Sequence, residues 1–183
     1  MRTIHYLIAL FLILEAGACK DDSNQKVREV NLKSREFQNK LIEANKIYVK
    51  QESDEIDQYV KHKKWDMITT GTGLRYMITS KGNGDSVKVD QIVKVNYKII
   101  LLDGRVCYSS DSLGPKEFVV GADNVESGLH EGIQYLRVGD KATLILPSYM
   151  AHGLIGDESK IPPKASVIYE LELLSVKDRV KKQ

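Results

Sequence analysis

Apolar residues recur with a helical period in the first third of the chain and with a period of two farther along. In the first third they are three or four positions apart, which places them on one face of a helix. These positions are Phe37, Leu41, Ala44 and Tyr48, followed by Ile56, Tyr59 and Val60. Ser53, with two acidic residues behind it, is a favourable N-cap, so the pattern predicts two helices or one broken helix over residues 34–65. The pattern leaves open whether this segment packs on the rest of the chain or pairs with another copy of itself.

Short segments of alternating apolar and polar residues follow Trp65, and glycine-containing turns separate them, which predicts an antiparallel sheet. The predicted strands cover residues 74–80, 92–102, 105–110, 117–120, 141–146 and 166–176. In the second strand, alternation puts Tyr97 on the same face as Val93 and Leu101, so its side chain is predicted to face inward. Asp103 and Gly104 then form a typical two-residue hairpin turn.

One further amphipathic helix is predicted between the strands at 117–120 and 141–146. The apolar positions of this helix are Val125, Leu129, Ile133 and Leu136, with Asp123 or Asn124 as its cap and Gly139 as its end. Residues 147–164 contain three prolines, two glycines and no periodic pattern, and a loop of that length in a compact domain is usually functional. The fold class is therefore α+β, with an antiparallel β-sheet wrapped around one short α-helix and preceded by an N-terminal helical segment.

The start of the chain has the composition of an export signal. A positive charge precedes an apolar run over residues 6–14, which is too short to span a bilayer. The sequence Ala-Gly-Ala-Cys at 16–19 resembles the acylation site of bacterial lipoproteins. We therefore expect residues 1–18 to be removed and Cys19 to carry the lipid. A plain signal peptide with an incidental cysteine is the alternative.

A polar, unpatterned stretch over residues 19–33 is predicted to tether the domain to the membrane. By the same resemblance to lipoproteins, Lys20 after the cysteine favours the outer membrane over retention at the inner one. The sequence leaves open whether the domain lies on the periplasmic or the surface side.

Charge and cysteine usage narrow the function classes. A formal net charge of only +2 does not imply binding to nucleic acid. With Cys19 modified, Cys107 has no partner for an intramolecular disulfide. The four histidines share no ligand spacing with cysteine or acidic residues, so neither a metal site nor a cofactor is predicted.

A set of short motifs resembles the FKBP-type peptidyl-prolyl cis/trans isomerases, in the order and spacing of that family. The motifs are VKVNY at 93–97, LDG at 102–104, SS at 109–110, FVVG at 118–121, GLHEG at 128–132, VGDKA at 138–142, PSYMAHG at 147–153, IPP at 161–163 and ELELL at 170–174. Each is weak alone, whereas the ordered set is specific. The helical segment and TGTGLRY at 70–76 resemble more narrowly the gliding-motility-associated isomerase lipoproteins of the family.

The resemblance implies a groove that holds a prolyl ring. The implied walls are Tyr97, Cys107, Phe118, Val125, Ile161 and Tyr169, with Leu129 as the floor. The backbone N–H of Glu126 would bind a substrate carbonyl, and His152, where the family usually has a tyrosine, would donate a second hydrogen bond. Without the motifs, Tyr97 and Tyr169 would be interpreted as ordinary core aromatics.

Four positions depart from the family pattern. Cys107 replaces a phenylalanine wall, Tyr108 replaces an aspartate, Leu129 replaces a tryptophan and Lys116 replaces another aromatic residue. Loss of the phenylalanine removes apolar wall, and loss of the aspartate removes an acceptor that holds the site together. These departures imply slower catalysis with an unchanged fold.

The resemblance therefore implies a membrane-anchored isomerase that assists the folding of exported or envelope proteins, with X-Pro segments as its substrates. The alternative is a catalytically weak scaffold or chaperone that binds an envelope partner through the same fold. The expected organisation continues from the tether with the helical segment at 34–65, the isomerase domain at 66–177 and a charged tail at 178–183.

Overall fold

The computed structural model describes residues 35–179, and their order of elements confirms the predicted fold class. The helices are α1 Arg35–Lys63, α2 Ser110–Leu113 and α3 Ser127–Gly132, with 3-10 turns at Ile133–Tyr135 and Ser148–Met150. The strands are β1 Ile68–Thr69, β2 Arg75–Ser80, β3 Gln91–Leu101, β4 Val106–Ser109, β5 Lys116–Val119, β6 Lys141–Leu146 and β7 Val167–Asp178. The predicted export signal, Cys19, the tether and residues 180–183 lie outside the described residues.

Helix α1 is continuous, so the predicted break and second helix start at Ser53 are wrong. The Ser53 hydroxyl does not cap a helix, because it accepts a hydrogen bond from the Arg75 guanidinium at 2.6 Å. An ion pair between Lys50 and Asp54, one turn apart and 2.7 Å long, spans the same region of the helix.

The chain divides into two compact units, and the division falls within α1, between residues 47 and 48. None of the helices in residues 35–179 is long and apolar enough to cross a membrane.

The part of α1 that belongs to the second unit packs on one face of the sheet. Ile56 is fully buried and forms a small apolar cluster with Ile145 of β6 and Ile168 of β7. Tyr59 and Val60, predicted to share a face with Ile56, pack against the same cluster. This half of the helix therefore packs on the sheet, and pairing with another copy stays a prediction.

The seven strands form one antiparallel sheet in the order β1-β2-β6-β7-β3-β4, with β5 also paired to β3. Strand β3 is central because it pairs with β4, β5 and β7. Its alternate residues Val93 and Leu101 are buried and Tyr97 is half-buried on the same face, which confirms the predicted inward orientation of Tyr97.

Helix α3 lies against the other face and is shorter than predicted. It covers Ser127–Gly132, and the chain continues as a 3-10 turn to Tyr135. Neither candidate residue caps it; the Asp123 carboxylate instead accepts a hydrogen bond from the backbone of Val119 at 2.7 Å. A Cβ on Gly128 would lie 2.5 Å from the Leu146 side chain, so glycine here permits the close approach of helix to sheet.

Candidate active site

The predicted walls and floor of the groove lie in or against one core cluster, although they come from four strands, one helix and two loops. The fully buried ones are Cys107 on β4, Phe118 on β5, Leu129 on α3, Ile161 in the loop before β7 and Tyr169 on β7. Tyr97 and Val125 are half-buried and pack against the same core cluster. Antiparallel pairing brings β3 between β5 and β7, which places aromatic residues from all three strands beside α3.

A carboxylate lies among these apolar walls. Glu126 immediately precedes α3, and its Oε1 accepts a hydrogen bond from the Tyr169 hydroxyl at 2.7 Å. Burial raises the pKa of Tyr169 well above its usual value, and the charge of Glu126 raises it further. The pKa of Tyr97 is raised for the same two reasons, burial first and the Glu126 charge second. Both phenols therefore remain protonated and available as donors at neutral pH.

His152 lies at the same carboxylate. Its Nε2 is 3.1 Å from Glu126 Oε1, within ion-pair distance, but the angles do not make a hydrogen bond. The imidazole is about three quarters buried. The structure thus brings the two predicted donor residues together. The roles of the Glu126 backbone N–H and of His152 as donors to a substrate carbonyl stay predictions.

The predicted loss of an acceptor at Tyr108 is compensated from another part of the chain. The Tyr108 hydroxyl donates a hydrogen bond to Asp157, which lies in the loop between β6 and β7. The other carboxylate oxygen of Asp157 accepts from the backbone N–H groups of Ser159 at 2.9 Å and Ile161 at 2.7 Å. A tyrosine and an aspartate together therefore fix the loop that carries the Ile161 wall.

The Asp157 network makes a testable contribution to acid stability. Partial burial acts to raise the pKa of Asp157, but the hydrogen bonds from Tyr108, Ile161 and Ser159 outweigh it, so the pKa lies below the usual 3.8. A carboxyl whose pKa is lowered by folding stabilises the fold above its unfolded pKa, and that stabilisation is lost as the pH falls through the folded value. We expect Asp157→Asn to be less stable than wild type at pH 5 to 7, with the difference shrinking below about pH 4. Urea unfolding at a series of pH values measures it.

Asp66→Asn, which removes an exposed carboxylate, is the control for that series. A difference between wild type and Asp157→Asn that stays constant down to pH 2.5 would show that the carboxylate contributes nothing through its charge.

Cys107 is a packed, buried thiol, and its role as a groove wall stays a prediction. It is a free thiol with 2% of its surface exposed, and its sulfur lies 3.5 Å from the carbonyl oxygen of Lys160. Burial, the largest influence, raises the pKa of the thiol, so it stays protonated at neutral pH. Among residues 35–179, no three His, Cys, Asp or Glu side chains are grouped to bind a metal.

The loop that carries Ile161 is held at both of its ends by one buried acid that the sequence did not single out. Glu52 on α1 accepts hydrogen bonds from the backbone N–H of Ser148 at 2.6 Å, from the Ser148 hydroxyl at 3.1 Å and from the Ser166 hydroxyl at 2.7 Å. The sequence did contain an indication that Glu52 is buried. Glu52 lies four residues from both Tyr48 and Ile56, which places it on the same face of the helix as these apolar residues. Asp157 had no such signal, since it lies in a loop without periodicity.

Comparisons with known proteins assign this chain to a family. The sequence profile described as FKBP-type peptidyl-prolyl cis-trans isomerase matches residues 84–174. A probable FKBP-type peptidyl-prolyl cis-trans isomerase of Haemophilus influenzae is 34% identical over 170 residues, which cover 89% of this chain and 67% of the relative. The isomerase FkpA of Escherichia coli K12 is 34% identical over 137 residues, covering 70% of this chain and 50% of the relative.

The crystal structure of FkpA from Escherichia coli superposes with a TM-score of 0.59 at 28% identity, covering 83% of this chain and 73% of that one. The chain spans between half and two thirds of the length of the curated bacterial relatives that it matches.

Proposed function

The chain belongs to the FKBP-type peptidyl-prolyl cis-trans isomerase family, and from that premise we propose that its groove binds X-Pro segments and accelerates rotation about the prolyl amide. The observation that carries the proposal is the convergence of Tyr97, Phe118, Leu129 and Tyr169, from three strands and a helix, on one buried cluster. The family match covers the segment that supplies all four.

Rotation needs no nucleophile, because the barrier of about 18–20 kcal/mol comes from resonance between the amide nitrogen and carbonyl. An apolar groove disfavours the charge-separated planar amide relative to the twisted one, which lowers that barrier. The walls orient the prolyl ring and exclude water, while the N–H of Glu126 at the start of α3 would hold the substrate carbonyl still. The three hydrogen bonds to Glu52 and those to Asp157 keep the loop in place over the ring.

A protease-coupled assay on a peptide with one X-Pro bond tests the proposal. The purified protein is expected to accelerate cis-to-trans conversion in proportion to its concentration. A rate equal to the uncatalysed one at micromolar protein would exclude the isomerase function.

We propose further that the protein works in the bacterial envelope, anchored through lipid on Cys19 in the outer membrane, and assists the folding of exported or envelope proteins. The lipoprotein-like sequence before Cys19 supports the anchor. The similarity of residues 70–76 to gliding-motility-associated isomerases supports a link to motility. Labelling of cells with a fatty-acid analogue is expected to mark the wild-type protein and not Cys19→Ala.

A scaffold or chaperone role is the second candidate, and one observation favours it. Helix α1 exposes Leu41, Ile42 and Ile47, each with about half of its surface open to solvent. These exposed apolar side chains support self-association or partner binding through this part of the segment at 34–65. If the scaffold role alone is biological, deleting residues 35–47 abolishes activity in cells whereas Tyr97→Ala does not.

A further inference from the structure

The hydroxyl of Tyr97 is a hydrogen-bond donor without an acceptor in the protein. The backbone N–H of Tyr97 donates to the Ser110 hydroxyl at 3.1 Å, whereas the phenol has no hydrogen bond within residues 35–179. The buried side-chain nitrogen and oxygen atoms that lack a partner in this range are Glu126 Oε2 and His152 Nε2. The unpaired Tyr97 hydroxyl is not one of them, so it is open to solvent.

This hydroxyl differs from the other phenols around the groove, because those already have acceptors. The Tyr169 hydroxyl donates to Glu126 at 2.7 Å, and the Tyr108 hydroxyl donates to Asp157. The Tyr97 ring packs against the same core cluster as Tyr169. Burial of the Tyr97 ring, followed by the charge of Glu126, raises the pKa of its phenol, so this free donor keeps its proton at neutral pH.

We propose that the Tyr97 hydroxyl, in place of His152, donates a side-chain hydrogen bond to the carbonyl of the bound prolyl amide. The inference rests on the proposed isomerase function. A prolyl amide has no N–H, so the carbonyl oxygen is its one group that makes hydrogen bonds, and it is an acceptor. A free donor beside Phe118, Leu129 and Tyr169 meets that oxygen when the prolyl ring enters the cluster. The bond holds the carbonyl while the other side of the amide rotates.

The surroundings of His152 oppose the donor role that the family resemblance implies for it. Its Nε2 is buried and lies 3.1 Å from Glu126 Oε1. An unprotonated Nε2 would direct its lone pair at a carboxylate, so the proton of the neutral imidazole belongs on this nitrogen. The other nitrogen, Nδ1, is then an acceptor, and it cannot donate to a carbonyl.

Replacing Tyr97 with phenylalanine isolates the hydroxyl, because the aromatic wall remains. In the protease-coupled assay we expect Tyr97→Phe to lower kcat/KM about fivefold to tenfold, as the loss of one hydrogen bond in the transition state does. Tyr135→Phe is the matched control, since it removes a hydroxyl from an exposed tyrosine outside the groove. This control variant is expected to keep the wild-type kcat/KM.

Infrared spectroscopy provides a second readout that does not depend on turnover. The probe is an X-Pro peptide with ¹³C at the carbonyl that precedes the proline. A hydrogen bond weakens the C=O bond, so the labelled band is expected at lower frequency on wild type than on Tyr97→Phe. His152→Ala is expected to keep the low frequency of wild type.

The outcomes distinguish the donor from the proposed function. Absence of acceleration by wild type contradicts the isomerase function, while the infrared comparison still tests the donor. The role of Tyr97 would be overturned by the same labelled band on wild type and Tyr97→Phe, by no detectable binding of the peptide to wild type, or by a kcat/KM of Tyr97→Phe within twofold of wild type. Loss of the low frequency in His152→Ala would return the donor role to the histidine.

Discussion

Replacing Glu52 with alanine is expected to lower the free energy of unfolding by about 3 kcal/mol, within a range of about 2–5 kcal/mol. Only 4% of Glu52 is exposed, and it accepts hydrogen bonds from three donors at Ser148 and Ser166. The substitution leaves these buried donors unsatisfied and opens a cavity between α1 and the sheet. Because Ser148 and Ser166 flank the loop over the groove, isomerase activity should fall as well.

Urea unfolding followed by tryptophan fluorescence measures the loss, since Trp65 packs at the edge of the cluster around Ile56. Glu55→Ala is the control, because it removes an exposed acid from the same helix. Equal losses for the two variants would show that the hydrogen bonds of Glu52 contribute nothing specific.

Substituting Tyr97 with alanine should lower kcat/KM by about 10- to 100-fold while the fold is retained. The truncation removes one aromatic wall, and the loss of roughly 60–100 Å² of apolar contact with the substrate corresponds to about 1.5–2.5 kcal/mol. It also removes a hydroxyl that remains protonated because burial and the Glu126 charge raise the pKa of Tyr97. Steady-state rates of the protease-coupled assay at a series of peptide concentrations test the prediction.

Tyr135→Ala is the matched control for that experiment. This tyrosine is exposed and stacks on Tyr76, outside the groove, with 4.5 Å between the ring centroids. A similar loss of activity in both variants would indicate a general effect on stability. An unchanged kcat/KM in Tyr97→Ala would mean that the substrate does not contact this wall.

Alternation was sufficient to predict six of the seven strands, and the residues that motif order predicts as walls lie in or against one buried cluster. The inward orientation of Tyr97 follows from a period of two, which depends only on local backbone geometry and persists in the folded strand. The predicted walls on β3, β5 and β7 share this cluster because antiparallel pairing fixes which residues of these strands are neighbours.

Polar residues that act over long sequence separations could not be placed in this way. Ser53 resembles an N-cap by local rules, but the guanidinium of Arg75, 22 residues away, binds its hydroxyl within a continuous helix. Asp157 supplies the acceptor that Tyr108 lacks, across 49 residues. The direction of the Glu126 side chain depends on Tyr169 and His152, which come from elements farther along the chain. Such contacts are determined by tertiary packing, and sequence periodicity carries no information about them.

Two-dimensional NMR exchange spectroscopy on an X-Pro peptide tests most directly whether the groove between the sheet and α3 catalyses rotation of a prolyl amide. With a catalytic amount of the protein, exchange cross-peaks are expected between the cis and trans resonances, and Tyr97→Ala should weaken them strongly. Spectra without cross-peaks at any protein concentration, or cross-peaks of equal strength in Tyr97→Ala, would contradict catalysis by this groove.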